Sequence, residues 1–298
     1  MSFTASRLVE TSRSDLAPPW GELRALAQRA VAEDLSAGDP SGAAVGARPA
    51  RASIVARRPG VVAGLVAAQL VLDEVSAHLG TGRADANLGA MDGDAVGAGT
   101  PLGTLTGPAD TLLAAERTLL NLLTHLSGIA TVTAAVLQAV AGTGAVVRDT
   151  RKTLPGLRAV EKYAVRCGGA TNHRMSLSDA LLIKDNHIAA IGGVTAAIKA
   201  ARRQAGAAHL ALEVEVDTLE ELDEALAAGV ELVLLDNFSL ESTAEAVRRA
   251  AAYGAKVEAS GGLTLANAKA VAACGVHYLA MGALTHSAPA LDIGLDWG

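Results

Sequence analysis

From Gly142 onward the chain alternates short, continuously apolar runs with helical patterns, and that rhythm leaves few folds open to it. The apolar runs are Ala145–Arg148, Ala180–Lys184, Leu210–Val216, Glu231–Leu235, Lys256–Ala259 and Val276–Met281. Between them the helical period appears over Leu157–Cys167, Val194–Gln204, Leu219–Ala228, Leu240–Ala252 and Leu265–Cys274. A strand that is apolar on both faces is buried on both faces, the condition of parallel strands covered by helices. Each run ends in polar residues and none is followed by G-x-G-x-x-G, so the pattern predicts an α/β fold built on an incomplete parallel barrel rather than a dinucleotide-binding sheet. With 50 % apolar but only 2 % aromatic residues, its core has to be Ala, Val and Leu.

The preceding half follows other periods. Residues 1–17 are expected to be a loose tail, after which Pro18-Pro19 opens a helix over Trp20–Asp34 and Asp34–Gly42 breaks it. Strands are predicted at Arg51–Arg58 and Val61–Ala63 around a Pro59-Gly60 turn, and at Ala84–Leu88 and Pro101–Leu105, with a helix over Leu65–Leu79. That order suits an α+β open sandwich with an antiparallel sheet. Thr111–Ala141 is helical, with a break expected near Ser127-Gly128. The expected domains are residues 18–128 and 129–298, with the C-terminal tail packing back on the first. Gly93–Gly107 also has the look of a lipoyl-domain turn, but its tip carries no lysine.

A net charge of −6 argues against nucleic acid or an anionic membrane as partner. The N-terminus has no apolar core of a secretory signal, and no uninterrupted apolar run approaches the ~20 residues of a membrane span. Two lone cysteines, Cys167 and Cys274, fit a reducing, cytoplasmic setting better than a zinc site.

Against that acidic background, Arg151, Lys152, His173, Arg174 and Lys184 are crowded between Arg148 and His187, at the tips of two apolar runs and in the loop between them. Barrel strands end at the active face, so this knot suits a small polyanion. Other tips bear carboxylates. Glu213 and Glu215 face the same way along one strand; Glu215, nearer the mouth, is expected to hold Mg2+ with Asp236, while Glu213 is a deeper partner. An ordinary charge network inside the barrel would use the same residues. The last tips, Ser260-Gly261-Gly262 and Met281-Gly282-Ala283 with His286, suit a phosphate cradle, although a plain helix stop explains either glycine group alone. His125 and His187 are expected to be structural, Tyr163 packing and Lys162 surface.

The segment DTRKTLPGLRAVEKYAVRCGGATNHRMSLSDALLIKDNHI closely resembles the quinolinate phosphoribosyltransferases, and so do Glu116–Thr131, Leu212–Leu222, Leu234–Phe238, Ser260–Leu263 and Met281–Ser287. The resemblance implies transfer of phosphoribosyl from phosphoribosyl pyrophosphate (PRPP) to quinolinate with loss of CO2, giving nicotinate mononucleotide and pyrophosphate. It further implies Lys152, Glu215 and Asp236 as catalytic, with Glu215 and Asp236 on Mg2+. Substrate would be bound by Arg117, Thr150, Arg151, Lys152, His173, Arg174, Lys184, Ser260, Gly261, Gly262, Met281, Gly282, Ala283 and His286. Arg117, which on spacing alone could be a helix-surface ion pair, would reach into a neighbouring subunit's site, making the protein at least a homodimer. Alternatives on the same scaffold are a paralogue with another acceptor, a Schiff-base enzyme using Lys184, and a non-catalytic anion-binding regulator.

Overall fold

The computed structural model describes residues 16–208 and 210–298. The loose tail expected over residues 1–17 therefore lies, but for its last two residues, outside them. The first elements are α1 (Trp20–Asp34), α2 (Pro40–Val45), β1 (Pro49–Ala56), β2 (Gly60–Val61), α3 (Ala68–Leu79), β3 (Asp85–Leu88), β4 (Ala95–Val96) and β5 (Pro101–Pro108). Then come α4 (Ala109–Val140), β6 (Val146–Arg148), α5 (Arg158–Cys167), β7 (Leu181–Ile183), α6 (Asp185–Ile191), α7 (Val194–Ala208) and β8 (Leu212–Val216). The last are α8 (Leu219–Ala227), β9 (Leu232–Asp236), α9 (Leu240–Ala252), β10 (Lys256–Ser260), α10 (Leu265–Ala272), β11 (Tyr278–Ala280), α11 (Ala283–His286) and β12 (Ile293–Trp297).

These elements form two compact units, one of Ala135–Thr153 with Ala170–His286, the other of residues 16–134 with Leu154–Gly169 and Ser287–Gly298. In the second unit an antiparallel sheet runs in the order β12-β1-β5-β3. β1 alternates, burying Ala52, Ile54 and Ala56, and the last two share an almost wholly aliphatic interior with Ala27 and Val31 of α1 and Val71, Leu72 and Val75 of α3. β2 does not fold back on β1 across Pro59-Gly60; it pairs with β4.

The break expected near Ser127-Gly128 is absent, and α4 runs unbroken from Ala109 to Val140. Its small and polar residues dock instead of ending the helix. Ser127 Oγ accepts the Ala63 N–H (3.0 Å), Thr131 Oγ1 accepts the Val61 N–H (2.9 Å), and Gly128 lies directly against the Pro289 carbonyl. By length and composition α4 is apolar enough to cross a membrane, but 56 % of its most apolar window is buried, as in a core helix. A methyl group at Gly128 would overlap the Pro289 oxygen, and backbone cannot rotate away. Gly128→Ala is therefore expected to destabilise by about 1–3 kcal/mol despite the better helix former. Thermal unfolding reads the loss, and proteolysis should reach Ser287–Gly298 first.

In the other unit six strands form one parallel sheet in the order β6-β11-β10-β9-β8-β7. The last strand closes onto the first, but no ladder joins β6 to β7, so the barrel is open along one seam. Val214, Val216, Val233, Leu235 and Val257 are buried on these strands, which is why they appear in the sequence as apolar runs.

Candidate active site

At the open seam, Thr171 bridges to Arg148 and continues the sheet where β7 does not. Asp149, fully buried, then accepts the His173 N–H (2.8 Å) and the Asn172 side-chain amide (2.5 Å). This carboxylate fixes the loop that carries His173 and Arg174. Its place immediately before a cationic strand tip is plain in the sequence, but its hold on the loop is not. Arg174 Nη1 donates to the Ala180 carbonyl (3.0 Å), and its guanidinium is held below the usual arginine range by burial and then by the charge of Arg151. Two guanidiniums, one from a strand tip and one from the loop, are thus kept within range of each other, an arrangement that calls for an anion.

Behind them the barrel interior holds a row of charges. His173 Nε2 stands 3.2 Å from Glu213 Oε2 and 3.3 Å from Glu258 Oε1, and Arg148 Nη1 bonds Glu258 Oε2 at 2.5 Å. Burial disfavours the charged imidazole, but its two carboxylate neighbours outweigh that and push its pKa up to about 9. The second ring proton belongs on Nδ1, which accepts the Arg174 N–H at 2.7 Å in the neutral ring and gives that bond up on protonation. Burial and then Glu258 raise the Glu213 carboxyl. The ligand atoms of His173, Glu213 and Glu258 lie within 4.8 Å of one another, but the adjoining Arg148 charge makes this an ion network rather than a cation site. Because folding raises the His173 pKa from 6.5 to about 9, its stabilisation is complete below pH 6.5 and is lost as pH rises through 9. Urea midpoints on either side of that window should fall for the wild type and change little for His173→Gln.

Lys184 Nζ forms an ion pair with Glu215 Oε2, so the lysine and the expected metal ligand meet directly. Asp236 ends the next strand and accepts the Asn237 side-chain amide (2.8 Å). Asp217 beside them has its carboxyl raised by burial and then by Glu221, Asp236 and Asp185, so several hard oxygens face one another at this mouth. Such a set suits Mg2+, which takes one or two carboxylates and shares itself with phosphates.

Lys152, Gly282 and His286 come together from distant parts of the sequence. A Cβ at Gly282 would stand 3.0 Å from His286 Nε2 and 3.1 Å from Lys152 Cδ. The Lys152 backbone is pinned, its N–H donating to Thr150 Oγ1 (3.0 Å) and its carbonyl accepting from Thr285 Oγ1 (2.7 Å). Gly261 and Gly262 both have positive φ, and a side chain at Gly261 would overlap Asn237, itself left-handed at φ 56°, whose N–H donates to the Ser260 carbonyl (3.0 Å). Met281 differs from expectation: its side chain is buried and its N–H is taken by the Arg148 carbonyl (2.9 Å), which leaves the cradle to Gly282 and Ala283.

In the other unit, Arg117 is exposed on α4 while Ala114, Ala115, Thr118 and Leu119 around it are buried. His125 Nε2 lies 3.0 Å from Glu161 Oε1, and Glu161 Oε2 accepts the Leu154 N–H (3.1 Å), anchoring the chain two residues past Lys152. His187 Nδ1 accepts the Lys184 N–H (3.0 Å) as part of a helix cap. Tyr163 is buried and donates to Asp92 (2.7 Å). Lys162, expected at the surface, is fully buried instead, on a helix whose residues Val160–Val165 are all buried.

Residues 39–127 match the family described as the N-terminal domain of quinolinate phosphoribosyl transferase, and residues 129–296 match its C-terminal domain. A Mycobacterium leprae protein named nicotinate-nucleotide pyrophosphorylase [carboxylating] is 55 % identical over 82 % of this chain and 85 % of its own. A human protein of the same name is 41 % identical over 84 % and 83 %. A solved Francisella tularensis nicotinate-nucleotide pyrophosphorylase superposes with a TM-score of 0.86 at 35 % identity, covering 95 % of this chain and 98 % of that one. With both family domains matched in order across almost all of its length, the chain belongs to the quinolinate phosphoribosyltransferase family.

Proposed function

We propose that this protein transfers the phosphoribosyl group of PRPP to quinolinate with decarboxylation, yielding nicotinate mononucleotide, pyrophosphate and CO2 in NAD biosynthesis. The relatives' names support the reaction, and the observation that carries it is the loop held by Asp149, which brings His173 and Arg174 to the strand tip that bears Arg151. Quinolinate is a flat dicarboxylate, and planar guanidiniums bind such groups in two-pronged fashion. Lys152 and His286 at Gly282, with Ser260, Gly261, Gly262 and Ala283, are suited to the phosphates; Thr150 orients Lys152. Mg2+ held by Glu215 and Asp236 would supply positive charge to the departing pyrophosphate.

The pyridine nitrogen attacks the ribose carbon as pyrophosphate leaves, and the transition state gathers positive charge on the sugar and negative charge on the leaving group. Lys152 opposes the second, so catalysis is positioning and electrostatics without a covalent nucleophile. Loss of CO2 then leaves its electron pair on the ring carbon beside the cationic nitrogen, which stabilises it until a proton from water takes the place of the carboxylate. Lys184, tied to the Glu215 carboxylate, is a poor Schiff-base nucleophile while so paired. We also propose a cytoplasmic homodimer in which the exposed Arg117 completes the partner's site, in keeping with two free cysteines.

A turnover assay with quinolinate, PRPP and Mg2+, following nicotinate mononucleotide and CO2, tests this. Arg117→Ala and Arg151→Ala should each be nearly inactive. Mixed and reassociated in equal amounts they should regain about a quarter of wild-type activity, since half the dimers are hybrid and each hybrid holds one intact site. Consumption of a different acid would overturn the substrate, and no recovery on mixing would overturn the shared site.

A further inference from the structure

We propose that Glu258 is a positioning residue for the pyridine substrate: anchored by Arg148, its carboxylate fixes the imidazole of His173 at the binding site. The inference rests on the substrate reading given above. Glu258 lies in the middle of β10, level in register with Leu234 and Tyr278, and has no exposed surface. An aliphatic residue would suit that layer better, since a carboxylate there gives up its hydration. Its partner is no more comfortable. Arg148 is 2 % exposed, its Nε and Nη2 have no hydrogen-bond partner among the described residues, and its guanidinium carbon sits 3.3 Å from the Tyr278 ring centroid.

A buried ion pair of this kind is seldom better for stability than a well-packed apolar pair of the same volume. Its use has to be sought in what it touches next. Glu258 spends one oxygen on Arg148 and sets the other, which makes no hydrogen bond among the described residues, in ionic contact with His173 Nε2 at 3.3 Å. Glu213 offers the ring a second acceptor from β8, but of the two acids it is Glu258 that, among the described residues, is pinned by a second cation. Asp149 meanwhile holds the His173 backbone. The ring is thus clamped from both ends, and an imidazole held this way presents its edge to the substrate without loss of orientation, as outer ligands do for metal-bound histidines.

The test is steady-state kinetics and thermal midpoints for Glu258→Ala, Glu258→Gln, Glu258→Asp, His173→Ala and the Glu258→Ala/His173→Ala double variant. Glu258→Ala should raise the KM for quinolinate about tenfold and leave that for PRPP unchanged. Glu258→Gln, whose amide oxygen can still accept from Arg148 but whose N–H then faces the His173 Nε2 proton, should keep the fold and show the same one-sided rise. Glu258→Asp keeps the charge and the fold but withdraws the carboxylate by ~1.5 Å, so it should show the same one-sided rise should the alanine variant fail to fold. The double variant should be no worse than His173→Ala alone. Additive effects in the double variant, or KM rises for both substrates in step with the thermal midpoint, would overturn the proposal alone. A normal quinolinate KM in His173→Ala would sink the substrate role of His173 and the proposal with it.

Discussion

Replacing Lys152 by alanine is expected to lower kcat by about 10^2–10^3 while changing the KM for quinolinate little. A flexible lysine is an effective point charge only if its backbone does not wander. Here Thr150 and Thr285 fix the peptide on both sides of the side chain, and the stem rests on Gly282 beside His286. Charge on the departing pyrophosphate grows toward the transition state, so a cation aimed there strengthens as the reaction proceeds and its loss appears in kcat. Rapid-mixing or steady-state measurement of CO2 release decides the matter. A variant with normal kcat and a raised quinolinate KM would assign Lys152 to the pyridine instead.

Arg148→Met is expected to be the most damaging single change to folding. It leaves the single imidazole of His173 to face two buried acids, Glu258 and Glu213, a loss of about 3–5 kcal/mol for breaking a buried pair from one side, and removes the guanidinium from the face of Tyr278. Adding Glu258→Gln should return part of the stability, because the stranded charge is gone, and urea unfolding of both single variants and the double variant measures the coupling. If the double variant were as unstable as the sum of the singles, the row of charges would not act as a unit.

Much of this could be seen in the sequence because doubly buried strands have to be apolar throughout. Val214, Val233 and Val257 announce a parallel sheet, and the polar residue that ends each run announces its rim. The cations at two tips and in their loop needed only that inference to become a cluster. What escaped was what depends on partners far along the chain. Gly128 looks like a helix breaker locally, and only the Pro289 carbonyl explains it. The burial of Lys162 reflects a helix covered on nearly every side, from Val160 to Val165, which a polar residue in a helical period cannot reveal. Glu258 hides in KVEAS, where one acid in a short strand looks like an ordinary surface alternation until Arg148 and His173 are placed beside it. Asp149 was visible but mute, since a carboxylate holding one backbone N–H and one side-chain amide has no signature spacing.

The strand order β12-β1-β5-β3 also sets a timetable. β1 meets β5 soon after both leave the ribosome, but its other edge waits for β12, whose Asp296 bonds Arg57 across 239 residues of chain. At ordinary rates of synthesis that is an interval of roughly ten to fifty seconds, ample for the whole intervening barrel to emerge. Throughout it, one edge of β1 presents unpaired peptide groups, the kind of surface on which nascent chains stick to one another. The stretch of translation between β1 and β12 is thus when this protein depends most on chaperones, and slowing elongation over the barrel would lengthen the exposure.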